Sequence, residues 1–379
     1  MVADANRRGY RHLLDAFWDD ARCHGVSLPT EEPVSAASFC SARHKITVDL
    51  LRHMLHELAS TFFDQASAPK RWLGRRVFAV DGTKLNLQRA PDLRYAFGVP
   101  DGTHCPQALV SVLLDVCAKA PVDLVVSGFA SSEREHLLDM LPSLARGDVL
   151  VLDRGYPSHE VLQELVQQEI DFVVRVPASH TFTIVDELHA SRGDDYLFHL
   201  DPPEGAPPKW RRLTLRAVRL RNHDGEESFF LTSLRRESVS RAQLRRLYHM
   251  RWEAEEFFKL LKGPYIGQGQ FRSKSSNGVV QEIHALVLYL AIARVLMATA
   301  AETSDADYDS LSQKAAVLGL AAYVVRILLP SDQLAAHRDL EALLRRIVRT
   351  RQKRRPGRSA PRRSYRPRLR WGPSGRCRG

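Results

Sequence analysis

The chain has 379 residues, enough for two or more modules and a sizeable core, and its 44% hydrophobic and 26% charged residues give a soluble globular composition. Its five cysteines (Cys23, Cys40, Cys105, Cys117, Cys377) are scattered with no C-x-x-C pair, which argues against a disulfide framework or a cysteine zinc site and fits a reducing cytoplasm. The net charge of +11 belongs to one end: fifteen Lys and Arg and no Asp or Glu lie from Arg345 to Gly379, so the rest sums to −4 (11 less 15), and such a tail suits a polyanion such as RNA, DNA or anionic lipid.

The opening "MVADANRRGYRHLLDAFWDD" has no apolar signal core. Residues 1–75 read as an N-terminal helical part, with "TEEPVSAAS" as a loop and "HKITVDLLRHMLHELASTFF" as an amphipathic helix. Residues 76–177 change texture. "RRVFAV", "ALVSVLLDVC" and "VDLVVSGF" read as strands, "SEREHLLDMLPSLA" as a helix with a Ser/Glu start, "DVLVLDRGYPS" as a buried strand and turn, "SHEVLQELVQQE" as a helix and "IDFVVRVP" as a strand. The order is β-β-β-α-β-α-β, three strands expected antiparallel and then alternating units that suit a parallel continuation.

Residues 178–238 form a β-rich insertion holding "TFTIVDEL", "WRRLTLRAVRLR" and "ESFFLTSL", separated by "DPPEGAPP" and "NHDGEE". Residues 239–300 begin with the helix "YHMRWEAEEFFKLLKG", followed by a loop and by "HALVLYLAIARVLMATA", which His284 and Arg294 mark as a buried helix rather than a membrane span. Helices continue through 301–350. Residues 351–379 are basic and rich in Pro and Gly, the composition of a flexible tail.

Three acids stand out. Asp81 follows "VFAV" and Asp153 follows "VLVL", so each is expected where a buried strand ends. Two readings are open for each: a turn former in "DG" or "DRG", or an acid that must be paired or bind metal. If the first and fourth strands are neighbours, both carboxylates meet at one edge of the sheet. The third acid is Glu255. At about 100° per residue, Tyr248, Arg251, Lys259 and Lys262 lie at roughly +20°, −40°, +40° and −20° from it, on one narrow stripe. Met250, Phe257, Leu260 and Leu261 take the opposite side and pack on a core. Taken alone, the stripe also reads as a solvated face of i,i+4 pairs.

Together these residues resemble a bacterial DDE transposase of the insertion-sequence-four group. The pattern Y-x2-R-x3-E-x6-K is matched without a gap by Tyr248, Arg251, Glu255 and Lys262; the spacings of 72 residues from Asp81 to Asp153 and 102 from Asp153 to Glu255 are similar too. The resemblance covers roughly residues 35–371. It implies an α/β fold: an RNase H-like mixed five-stranded sheet with flanking helices, interrupted by the β-rich insertion, plus helical N- and C-terminal parts. It also implies catalytic and metal-ligating roles for Asp81, Asp153 and Glu255, and with these facing the stripe, Tyr248, Arg251, Lys259 and Lys262 are expected to bind DNA phosphates.

The expected chemistry is metal-dependent hydrolysis at transposon ends followed by strand transfer. Two Mg²⁺ ions, with Mn²⁺ as a substitute, sit about 4 Å apart on carboxylate oxygens. Asp81 is expected to bridge them while Asp153 and Glu255 each complete one side. The expected partners are double-stranded DNA with terminal inverted repeats, target DNA and, by the resemblance, a second copy in a synaptic homodimer. No membrane is involved, and the expected location is the bacterial cytoplasm at the nucleoid.

Phe229, Phe230 and Trp210 are candidates for holding a flipped base, though strand aromatics are commonly core. Arg272 and Lys274 read as a phosphate-contacting or simply solvated loop, and His104 as structural. The N-terminal helices are candidates for end recognition, without a helix-turn-helix strong enough to name bases. The competing readings are a structure-specific nuclease or resolvase on the same core, and a non-catalytic DNA-binding protein derived from a transposase.

Overall fold

The computed structural model describes residues 9–63, 71–177, 193–221, 226–263, 271–330 and 332–351. The expected strand "TFTIVDEL", the centre of the loop before "QFRSKSSNG" and the basic tail lie outside the described residues.

The N-terminal part folds as three helices, α1 (Tyr10–Cys23), α2 (Ala36–Arg43) and α3 (Val48–Phe63). Then come β1 (Val77–Asn86), α4 (Pro91–Phe97), β2 (Gln107–Asp115), β3 (Ala120–Gly128), α5 (Glu133–Met140), β4 (Val149–Leu152), α6 (His159–Gln167) and β5 (Asp171–Val176). This is the expected order with one addition. The short helix α4, which opens on Pro91, had no clear signal in the sequence.

Strand order is β3-β2-β1-β4-β5, with β1–β2 and β2–β3 antiparallel and β1–β4 and β4–β5 parallel. The adjacency of the first and fourth strands is therefore present. The sheet does not stop there. β6 (Asp195–Leu200), β7 (Leu213–Arg221) and β8 (Glu227–Thr232) continue it, giving eight strands in the order β3-β2-β1-β4-β5-β8-β7-β6. The five expected strands lie side by side, and the expected β-rich insertion extends their sheet to eight strands, which is the departure from the expected layout. β8 pairs antiparallel with β5 from Val173↔Thr232 to Val176↔Phe229. An unpaired β5 edge would leave buried amide and carbonyl groups without partners, and β8 supplies them.

After the sheet come α7 (Arg241–Met250), α8 (Trp252–Leu261), the 28-residue α9 (Ser276–Thr303), α10 (Gln313–Leu328) and α11 (Gln333–Arg349). Alternation along β1 sorts the core into two layers. Val77 and Ala79 face α7–α9 through Leu247, Phe257, Ile283 and Leu286. Phe78 and Val80 face α5 and α6 through Leu137, Met140, Val161 and Leu165.

α9 is long and apolar enough by composition to cross a membrane, yet most of it is buried, and Glu282, His284 and Arg294 are among its buried residues. α3 is not a separate module. It packs on β3 and α9, Leu55 and Ala59 enter the two core layers, and Arg52 makes two 2.7 Å bonds to the buried carboxylate of Asp123 on β3.

Candidate active site

β1 enters the site as four fully buried residues, Val77 to Val80, after which Asp81, Gly82 and Thr83 are half-buried. The expectation that Asp81 ends a strand is corrected on one side: β1 runs on to Asn86, and Asp81 pairs with Val112 of β2. On the other side the expectation holds. The parallel register Val77↔Val149, Phe78↔Leu150, Ala79↔Val151, carried two residues further, sets Asp153 beside Asp81, just where β4 has stopped at Leu152. Neighbouring strands lie about 4.8 Å apart, so the two carboxylates share one locale at the end of the shorter strand.

Asp153 ends β4 by its own chemistry. Its Oδ1 accepts a 2.7 Å bond from the Gly155 amide, an Asx turn that competes with a further ladder bond. Asp81 Oδ1 accepts from the Gly82 amide at 3.0 Å. Burial pushes the Asp81 carboxyl up to about 6; Arg251 and the Gly82 amide oppose this, and the charges of Asp153 and Glu133 add to it.

The third acid arrives on α8, which packs on β1. The single helix expected from Tyr248 to Gly263 is two. α7 begins at Ser240 with a capping box to Gln243, and Arg251 is both its C-cap and the N-cap of α8. Arg251 Nη2 donates to Glu255 Oε1 at 2.6 Å, and its guanidinium lies 5.9 Å from the centre of the Tyr248 ring. Burial alone would lower the pKa of Arg251, but Tyr248, Glu255 and Asp81 outweigh it and raise it. Arg251 thus faces Glu255 and Asp81 at once, and its Nε is buried without a hydrogen-bond partner.

Lys262 reaches the same place. Its ammonium donates to Thr83 Oγ1, two residues past Asp81; burial lowers its pKa and Asp81 pulls it back up. Lys259 is not brought in. It pairs with Glu256, lies 4.9 Å from the centre of the Trp252 ring and is 59% exposed. Tyr248 packs edge-on against Phe230 with ring centres 4.7 Å apart, and burial raises its pKa. Phe229 and Phe230 are buried in the two core layers, as core aromatics are, and Trp210 is half-buried. Trp252 is exposed, with its ring nitrogen bonded to Glu256 at 2.9 Å. The amide of Arg272 is bonded to Glu282, while Lys274 and His104 are exposed.

Among the described residues, no three His, Cys, Asp or Glu side chains gather closely enough to form a ready metal cage. The donor set nevertheless fits a hard divalent cation. Asp81 and Asp153 are adjacent carboxylates whose mutual repulsion a cation would relieve, and Glu255 offers a third carboxylate now satisfied by Arg251.

One acid near this place carried no signal. Glu133, the first residue of α5, read only as a helix-start residue; the β3–α5 connection brings its carboxylate against Gly82 and to 3.1 Å from the Tyr156 hydroxyl.

A model of the transposase DDE domain matches residues 72–292 of the chain. No curated protein matches the sequence. Among solved structures, the piggyBac transposase synaptic complex with hairpin DNA is similar at 10% identity and a TM-score of 0.45, over 95% of this chain and 80% of that one. Ciona intestinalis endonuclease V, in complex with a 24mer DNA containing an inosine followed by a ribo-adenosine, is similar at 14% identity and a TM-score of 0.22, over 60% of this chain and 100% of that one. Both likenesses are too distant to place residues.

Proposed function

This chain belongs to the transposase DDE-domain family and is a DNA transposase, and from that premise we propose that Asp81, Asp153 and Glu255 are its catalytic carboxylates, in an RNase H-like core of the insertion-sequence-four group. Enzymes of this family work with divalent metal ions; here the proposed cofactor is a pair of Mg²⁺ ions, replaceable by Mn²⁺. When bound, the ions supply an activated nucleophile and neutralise charge on the attacked phosphate. Asp81 and Asp153 would hold them from the sheet, and Glu255 would join from α8 on exchanging Arg251 for a cation.

Arg251 is the residue that makes this exchange plausible chemically. A guanidinium that binds a carboxylate in the free protein binds a phosphate by the same fork geometry. Lys262, beside Thr83, is placed for a second phosphate. Tyr248 and Lys259 are proposed DNA contacts from the same stripe, Lys259 only after leaving Glu256. The reaction is attack by water on the phosphodiester at a transposon end, leaving a 3′-hydroxyl, and then attack by that hydroxyl on target DNA. The proposed partners are DNA with terminal inverted repeats, target DNA and a second copy in the synaptic complex, in the cytoplasm at the nucleoid.

The observation that carries this reading is the β1–β4 register that levels Asp153 with Asp81, beneath the helix bearing Glu255. The test uses DNA with the flanking inverted repeats and Mg²⁺, scored for nicking, strand joining and binding. Alanine at Asp81, Asp153 or Glu255 is expected to lower nicking at least ~10³-fold, the scale of losing an essential electrostatic group, while binding persists. A variant that still nicks at the wild-type rate removes its residue from the ligand set. Nicking without joining would instead identify a nuclease on this core.

A further inference from the structure

α5 is fixed to the sheet more firmly than an eight-residue helix needs for packing alone. Its start is set by a capping box in which the Ser132 side chain and Glu135 bond each other's backbone amides. Its next turn is pinned by His136, buried between two hydroxyls: Nδ1 is 2.8 Å from Ser111 Oγ on β2 and Nε2 is 2.7 Å from Ser127 Oγ on β3. Leu137 and Met140 are completely buried beneath it. Ser111 is the cross-strand partner of Gly82, so the anchored helix stands beside the residue that follows Asp81.

From this platform two side chains reach the turn that carries Asp153. The Tyr156 hydroxyl donates to Glu133 Oε2 at 3.1 Å, and Arg134 Nε donates to the Gly155 carbonyl at 2.8 Å. The other side of the Glu133 carboxyl fills the space over Gly82. A Cβ at position 82 would lie 2.6 Å from Glu133 Oε1 and 2.8 Å from its Cγ, so the glycine is what lets the carboxyl approach the strand. Tyr156 is 1% exposed, and its ring is locked in the core with Leu137, Val161 and Leu165.

We propose that Glu133 is a positioning residue of the transposase site: wedged over Gly82 and bonded to Tyr156, it fixes the spacing between the strand that bears Asp81 and the turn that bears Asp153. The proposal rests on the catalytic reading of those two aspartates. β4 has already ended at Leu152, so where Asp153 points is set beyond the ladder, by its Asx turn to Gly155, by the Tyr156 amide on the Asp153 carbonyl, by Arg134 on the Gly155 carbonyl and by this strut. The strut works through the hydrogen bond that Glu133 accepts from Tyr156 and through its bulk over Gly82, both of which a glutamine can supply. Holding the acids in register before the cations arrive is preorganisation, and outer partners that orient ligating carboxylates typically affect metal affinity or rate about 10- to 100-fold.

Four variants of the full chain test it: Glu133→Gln, Glu133→Ala, Tyr156→Phe and Asp81→Ala. Each is assayed for Mn²⁺ binding by calorimetry without DNA, for nicking of inverted-repeat DNA, and for thermal stability. Glu133→Ala and Tyr156→Phe are each expected to weaken Mn²⁺ binding and nicking about 10- to 100-fold. A fifth variant combining these two is expected to be no worse than Glu133→Ala alone, since both changes break one bond. Glu133→Gln keeps the acceptor and the bulk and is expected to stay close to wild type.

If Glu133→Gln falls as far as Glu133→Ala, the charge and not the bond matters, and the strut is overturned. If Tyr156→Phe binds Mn²⁺ and nicks like wild type, it is overturned as well, and this variant removes a single oxygen even should Glu133→Ala not fold. Asp81→Ala separates the two levels: inactive Asp81→Ala with unimpaired Tyr156→Phe rejects the strut alone, whereas active Asp81→Ala rejects the catalytic reading beneath it.

Discussion

At the scale of single residues, charge decides position only when burial forces it to. Asp123 on β3 is completely buried, and that desolvation would raise its carboxyl; bonds from His56, Arg52 and Ser143 outweigh it and bring it down to about 2. The unfolded value is about 3.9. A carboxyl depressed in the fold adds stability that is present above the unfolded value and lost as pH falls through the folded one. The predicted contribution is roughly 2–3 kcal/mol. Asp123→Asn should therefore lower urea-unfolding stability at pH 7 by at least that amount, and its gap to wild type should narrow between pH 4 and pH 2; a gap that stays constant would reject the assignment. None of this was legible in "APVDLVV", where Asp123 reads as an ordinary strand residue, because its partners come from α3, 71 residues earlier, and from Ser143. The same contrast separates Lys262 from Lys259. Both sit on one calculated stripe, but Lys262 has Thr83 across from it and Lys259 has a nearer acid on its own helix. Angular arithmetic gives the direction of a side chain's root and not the partner its end will find.

Among elements, the hydrophobic pattern gave most helices and strands because burial on a periodic surface leaves a periodic trace. α5, α6 and the strands β1 to β5 follow it closely, and the serine starts of α5 and α6 are the caps observed. β6 left a weaker trace: "DYLFHL" has Leu197 69% exposed and only Phe198 and Leu200 buried, so its identity depends on pairing with β7. The break between α7 and α8 left none, since Arg251 is a good helix former and nothing nearby is Gly or Pro. α8 is held to the sheet by its apolar side, where Phe257 is 2% exposed in the layer shared with Val77 and Ala79. Phe257→Ala should destabilise the protein by about 3–5 kcal/mol, read as a lower unfolding midpoint in urea. It should also weaken nicking, because α8 carries Glu255; a folded variant that nicks at the wild-type rate would show that the packing of α8 is not what orders the acids.

For the whole molecule, the decisive departure is the segment 178–238. In the structure β8 covers the edge of β5, Arg216 of β7 is buried and bonded twice to Asp195, and Arg216 Nη1 also donates to the Val239 carbonyl just before α7. Deleting residues 178–238 and joining the ends should therefore leave aggregated or unfolded chain, measured by gel filtration and circular dichroism, because it bares a flat inner strand. A soluble, cooperatively folding product would show instead that the first five strands do not need this cover. The sequence by itself determined the family, the three acids at telling spacings, the order of the first five strands and the basic tail, since each of these is written in local pattern or in motif. Only the tertiary structure decided that the sheet has eight strands, that Arg251 pairs with Glu255 within the field of Asp81 and that Glu133 lies against Gly82. Those facts rest on contacts between segments tens to hundreds of residues apart, and a one-dimensional pattern records which surfaces want burial but not which surfaces bury each other.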